Sequence, residues 1–196
     1  MDKFKDILLV DNYDSFTYII ADYFKQFKCN VEIVRNDVSP KKTSKDFDLL
    51  VLSPGPSQPN DSAYLLDYIN VYYSSKPILG ICLGLHALVE FFGGTLKYIN
   101  PIHGRSCIVK NDRKSIYTGI NKEISVARYH SIGIDKVPQE FEVSGITHDN
   151  IIMSLRHRKL KIEGIQYHPE SIMSINNMVG KNIFKNIVFQ HFGSSN

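Results

Sequence analysis

Three segments of the chain, Ile7-Leu8-Leu9-Val10, Leu49-Leu50-Val51-Leu52 and Ile78-Leu79-Gly80-Ile81, contain no polar residue. A strand without a polar face has to be covered on both sides, which is the situation of a strand inside a parallel sheet. Val31-Glu32-Ile33-Val34 reads as a further strand. Between the first two strands Phe16, Ile19, Ile20, Tyr23, Phe24 and Phe27 recur at helical spacing and predict one apolar helix face, with Asp14 or Ser15 placed to cap it. A helix is expected over roughly Ala63 to Tyr73 and another directly after Cys82. Strand-helix-strand alternation of this kind places helices on both faces of a parallel sheet.

The second half changes character. Thr95 to Ile99, Ser106 to Lys110, Ile124 to Tyr129, Phe141 to Thr147, Ile151 to Leu155 and Ile162 to Tyr167 are short strand-like runs with few helical patterns between them. They read as antiparallel additions to the edge of the sheet, closed by a final helix over about Asn177 to His191. The expected fold is α/β: an open, mainly parallel sheet with a mixed edge and helices on both faces.

Composition narrows the function classes. A chain of 196 residues that is 43% hydrophobic suits one domain over 1–196. A net charge of +3 supplies no basic stripe for nucleic acid. The short runs Lys41-Lys42 and Arg156-His157-Arg158-Lys159 read as solvated loop residues. No apolar stretch approaches the ~20 residues of a membrane span. Met1 to Asp6 runs straight into a strand pattern, which is not the pattern of a signal or transit peptide. Cys29, Cys82 and Cys107 are an odd count at unrelated spacings, which argues against a disulfide framework or a zinc site and for a reducing compartment.

Ligands of open α/β sheets bind at the carboxyl ends of the strands. Cys82 lies there, between Gly80 and Gly84, at a strand-to-helix turn like the nucleophile elbow of hydrolases. A helix N-terminus aimed at a thiol raises its thiolate fraction. The alternative is a buried small hydrophobe. Gly164-Ile165-Gln166-Tyr167-His168-Pro169-Glu170-Ser171 ends another strand on a histidine, with Glu170 spaced to orient its imidazole. Alone, His-Pro-Glu also fits a surface turn. Ser53-Pro54-Gly55-Pro56-Ser57 follows a third strand, where a backbone N–H near Gly55 and that of Leu83 could form an oxyanion hole. In isolation it is also a stiff turn.

Taken together and in order, VDNYDSFTY, SPGP, GICLG, VARYHS and YHPES resemble the class I glutamine amidotransferases, and among these the glutaminase subunits of anthranilate synthase and aminodeoxychorismate synthase. The resemblance runs along nearly the whole chain and implies their flavodoxin-like fold. It implies Cys82 as nucleophile, His168 as general base and Glu170 as orienter. It also implies glutamine held among Gly55, Pro56, Ser57, Leu83, the residue at His86, and the Ser131-Ile132 backbone. No metal or organic cofactor is implied. The implied partner is a chorismate-binding synthase subunit in a heteromeric complex, with neither nucleic acid nor membrane, in the cytoplasm (or the plastid stroma if organelle-encoded). His103-Gly104-Arg105 matches a family loop assigned to the partner interface.

Four positions depart from the family pattern: His86 where glutamine is usual, Ser57 where a third glycine is common, Leu85 where histidine is usual but related amidotransferases vary, and Ile19 where asparagine stands. The first two leave a rival reading open, a regulatory or scaffolding subunit with impaired glutaminase activity. A stand-alone cysteine hydrolase on the same fold is a third reading, under which VARYHS and NYDSFTY go unexplained.

Overall fold

The computed structural model describes residues 5–44, 46–174 and 178–192, and the side chains of all of these except 102, 103, 173 and 190–192. Strands β1 (Lys5–Asp11), β2 (Cys29–Arg35), β3 (Leu49–Leu52), β4 (Ile78–Ile81), β5 (Thr95–Asn111), β6 (Glu123–Lys136), β7 (Phe141–Thr147), β8 (Ile152–His157) and β9 (Ile162–Ile165) form one sheet in the order β2-β1-β3-β4-β9-β8-β7-β5-β6. The first five in that order pair in parallel and the remainder antiparallel. Helices α1 (Thr17–Gln26), α2 (Leu65–Tyr72), α3 (Leu83–Phe91) and α4 (Val179–Phe192) cover the parallel part. None of the described helices is long and apolar enough to cross a membrane.

The apolar runs behave as their period demands. Successive side chains alternate between faces of the sheet. Ile7, Leu9, Val51, Leu79 and Ile81 therefore pack with Ile20 and Phe24 of α1 and Ile183, Phe184 and Ile187 of α4. Leu8, Val10, Leu50, Leu52 and Ile78 pack with Leu65, Tyr68 and Ile69 of α2 and Leu85 and Leu88 of α3. A sheet filled from both sides needs no polar residue in its central strands, which accounts for their sequence.

Local readings need four corrections. The N-cap of α1 is Phe16 with no side-chain bond; Asp14 accepts the Phe16 N–H at 2.8 Å and caps the preceding turn. Ile19 leaves the apolar face of α1 and is 42% exposed. The two short runs at 95–99 and 106–110 belong to one long strand, β5, whose register against β6 shifts at irregularities that a period-2 reading takes for breaks. The run Arg156 to Lys159 is solvated only at Arg158 and Lys159, because Arg156 and His157 belong to β8. The Arg156 guanidinium lies 2.7 Å from Asp112, 3.0 Å from Glu142 and 3.5 Å from the buried Glu163. A buried carboxylate needs such a counter-charge. The expected start of the last helix at Asn177 lies outside the described residues.

Two glycines bring α3 onto the sheet. A β-carbon on Gly80 would stand 2.5 Å from the Gly84 carbonyl group, and one on Gly84 would overlap the Leu52 carbonyl oxygen of β3. Backbone rather than a flexible side chain stands in the way, so the fold relaxes poorly around an added methyl. Gly84→Ala is expected to destabilise the chain by at least about 2 kcal/mol, read as a lower midpoint in urea unfolding. An unchanged midpoint would mean that α3 is not held at this distance.

Candidate active site

The carboxyl ends of β1, β3, β4 and β9 converge on Cys82. The cysteine follows β4, is the N-cap of α3, and has φ +52° and ψ −102°, outside the ordinary regions for a side chain-bearing residue. Its N–H bonds the Ile165 carbonyl of β9 at 2.8 Å and its carbonyl accepts from the His86 N–H at 3.1 Å, so the bend is anchored on both sides. Cys82 is 8% exposed. The first N–H groups of α3, that of Leu83 among them, have no partner within the helix.

His168 lies beyond β9 and is tied to the antiparallel half. Its N–H donates to the Ala127 carbonyl of β6 at 3.2 Å. Ser174 Oγ donates to the His168 carbonyl at 2.7 Å and accepts the Ala127 N–H at 3.0 Å. The imidazole Nδ1 lies 2.6 Å from Glu170 Oε1, and both side chains are buried. Nδ1 being taken by Glu170, the buried Nε2 is the nitrogen left to exchange a proton. Burial disfavours the charged ring, but hydrogen bonding and charge from Cys82, together with Glu170, outweigh it and raise the His168 pKa to about 10. The rings of Phe16 and Tyr129 stand 5.2 and 5.1 Å from the imidazole. Tyr129 shares a 3.0 Å hydrogen bond with Ser171. Thus Cys82, His168 and Glu170, spread over the sequence, meet at one end of the sheet.

The Pro-Gly-Pro loop sits beside them because β1 holds it. The Asn12 N–H donates to Ser53 Oγ at 2.8 Å, Asn12 Nδ2 donates to the Ser53 carbonyl at 2.9 Å, and Asn36 bonds Asn12 Oδ1 at 3.0 Å. A β-carbon on Gly55 would meet Asn12 at 2.6 Å and Leu83 Cδ2 at 2.8 Å, so this backbone abuts the start of α3. Pro56 and Ser57 are exposed, and Ser57 takes φ +73°, the left-handed region that favours glycine. Ser131 and Ile132 continue β6 past His130 and are half-buried. The Ile132 carbonyl accepts from His130 Nδ1 at 2.8 Å, and His130 Nε2 accepts from Arg128 at 3.1 Å. Burial first, and the neighbouring Arg128 and His168 charges with it, lower the His130 pKa to about 4 against the pull of the Ile132 carbonyl, which keeps this ring neutral.

His86 is buried on α3 with Nε2 2.7 Å from Gln166 Oε1. It reaches Cys82 through that amide, since Gln166 Nε2 lies 3.6 Å from the sulfur. Gln166, the Phe16 and Tyr129 rings and the Asn12–Ser53 clamp escaped sequence reasoning. All lie in or beside the quoted motifs, but spacing alone does not say which way each side chain points. The His103 side chain lies outside the described residues; Gly104 beside it has φ +64° at a register shift of β5. Among the described residues no three His, Cys, Asp or Glu side chains gather as a metal site.

A thiol at a helix N-terminus, an imidazole charged by its neighbours and a carboxylate behind it form, on an α/β sheet, an arrangement suited to cysteine-dependent acyl transfer. Residues 8–190 match the glutamine amidotransferase class-I family, and the chain belongs to it. It is 38% identical over 186 residues to the anthranilate synthase component 2 of Thermococcus kodakarensis, covering 93% of this chain and 96% of that one. It is likewise 38% identical over 176 residues to the aminodeoxychorismate synthase component 2 of Escherichia coli, covering 86% and 92%. The chain also matches, at 38% over 176 residues and 87% of its own length, about half (48%) of the multifunctional tryptophan biosynthesis protein of Pichia angusta. The crystal structure of a Thermoplasma acidophilum protein described as a GMP synthase subunit superimposes with a TM-score of 0.86 at 25% identity, covering 98% of this chain and 96% of that one.

The raised His168 pKa gives a signed expectation. A group whose pKa is higher in the folded than in the unfolded chain stabilises the fold fully below the unfolded value, and that contribution fades as pH rises through the folded one. Stability from His168 is therefore present below the ordinary histidine range near 6.5 and lost on approaching about 10. NMR titration of the imidazole is expected to show a midpoint far above 6.5 that falls in Cys82→Ser and in Glu170→Gln. A wild-type midpoint near 6.5 would contradict the charged pair.

Proposed function

We propose that this amidotransferase hydrolyses L-glutamine through a thioester on Cys82 and passes the ammonia to a chorismate-using synthase subunit. The observation that carries the reading is the buried Cys82–His168–Glu170 constellation, with Glu170 2.6 Å from His168 Nδ1. The Cys82 sulfur attacks the side-chain amide carbon of glutamine, and the carbonyl electrons move to oxygen. Backbone N–H groups at Leu83 and the Gly55 loop stabilise that oxyanion. His168 delivers its Nε2 proton to the departing nitrogen, the C–N bond breaks, and ammonia leaves a glutamyl thioester. Neutral His168 then takes a proton from water, whose oxygen attacks the thioester and releases glutamate. Glutamine is held among Gly55, Pro56, Ser57 and the Ser131-Ile132 backbone.

The names of the component 2 relatives support a heteromeric complex with a synthase subunit; in our reading that subunit binds chorismate and the complex serves tryptophan or folate synthesis in the cytoplasm. No cofactor enters the scheme. A single domain over 1–196 fits the continuous sheet. The impaired-glutaminase reading rested on Ser57 and His86. Ser57 already takes the backbone conformation that glycine would take, and His86 leaves the trio unbroken.

In the complex, Cys82→Ser is expected to abolish glutamine-dependent synthesis and leave ammonia-dependent synthesis intact, because a hydroxyl is poorly activated by a base that serves a thiol. Glu170→Gln is expected to cost less than His168→Ala, since the orienter does not carry the proton. Glutamine hydrolysis by Cys82→Ser near the wild-type rate would sink the proposal.

A further inference from the structure

Gln166 has no part in the reaction as written, yet its side chain is wholly buried and sits between two site residues. Its backbone is fixed by an N–H bond to the Met153 carbonyl at 2.8 Å. Its amide oxygen lies 2.7 Å from His86 Nε2 and its amide nitrogen 3.6 Å from Cys82 Sγ. The two ends of an amide are not interchangeable. If the oxygen accepts from His86, the NH2 group must face the sulfur; if the amide turns over, a carbonyl oxygen faces it instead.

What decides between these is the single proton of a neutral His86. Burial lowers the proton affinity of this ring against the pull of the Gln166 and Ile132 oxygens, so it carries one N–H. The Gln166 oxygen 2.7 Å from Nε2 can only accept, so with the amide in this orientation the His86 proton sits on Nε2 and the NH2 group is the end turned to the sulfur. An N–H donor favours a charged acceptor over a neutral one.

We propose that His86 and Gln166 act as a positioning relay: His86 holds the Gln166 amide in one orientation, and the amide N–H favours the thiolate of Cys82. The inference rests on the nucleophilic role proposed for Cys82. The other titratable or charged groups about this cluster are His168 and Glu170 after β9, Asp14 before α1, and Arg128 and His130 on β6.

The test is the pH profile of Cys82 alkylation by iodoacetamide in the full chain, with each labelled cysteine identified by peptide mass spectrometry. Cys29, whose pKa burial pushes up to about 11, and Cys107, also raised by burial, are internal references for an unaltered fold. In Gln166→Leu and His86→Leu the Cys82 profile is expected to move to higher pH by about one unit, roughly a tenfold loss of thiolate at neutral pH. Gln166→Glu, of the same shape, is expected to move it further, because a carboxylate opposes the thiolate. His86→Gln, whose amide N–H can donate to the same oxygen, is expected to restore the wild-type profile. Where a leucine variant fails to fold, Gln166→Glu and His86→Gln carry the test. An unmoved profile in Gln166→Glu or in a folded leucine variant, or a His86→Gln profile as shifted as that expected of His86→Leu, overturns the relay. Wild-type Cys82 reacting no faster than Cys29 would instead overturn its role as nucleophile, so the two failures are distinct.

Discussion

The close approach of α3 to the sheet is the contact on which the site depends. Gly80 and Gly84 remove the β-carbons that would keep the helix from β3 and β4. With strand and helix so near, the chain between them has a single residue in which to reverse, and Cys82 takes a positive φ to do it. Such a conformation costs on the order of 1–3 kcal/mol and persists only where the surroundings over-determine it. Here they do: Cys82 is bonded through its N–H to β9, and Leu83, Leu85 and Leu88 are buried just beyond it. The strain places the sulfur at the end of a helix, facing the turn after β9.

That turn is the second requirement, and the antiparallel half of the sheet supplies it. β9 borders β4 on one side and β8 on the other, so it joins the parallel and antiparallel halves. His168 is then held to β6 by its N–H and through Ser174, while Phe16 of the segment after β1 and Tyr129 of β6 close over its ring. A buried imidazolium would be expensive alone. Glu170 and Cys82 offset that cost, so the two halves of the fold meet around one charge cluster.

Much of this was legible in the sequence, for identifiable reasons. Central strands covered on both faces are continuous apolar runs; β3 and β4 coincide with theirs, and β1, Lys5–Asp11, extends only slightly beyond Ile7 to Val10. The Cys82 and His168 turns were legible because glycine and proline mark where a strand must stop. Less was readable where side-chain direction or long-range pairing decides. The irregular register of β5 hid a 17-residue strand as two short ones. Arg156 looked like one charge in a surface run, because the carboxylates that bury it come from distant segments. Ile19 kept helical spacing yet faces outward. His86 has the spacing to share a helix face with Cys82, but which neighbour its ring would meet depended on Gln166, 80 residues away in the chain.

Cys82 is the proposed nucleophile, and its proposed product with glutamine is a thioester resolved by His168. Rapid acid quench of the chain mixed with glutamine, followed by intact-mass and peptide mass spectrometry, measures that species directly. The expected result is a glutamyl adduct on Cys82 alone, more abundant when Glu170→Gln slows its hydrolysis, and absent in Cys82→Ser. Steady glutamate release with no adduct on Cys82 at any quench time, or release that survives Cys82→Ser, would contradict it.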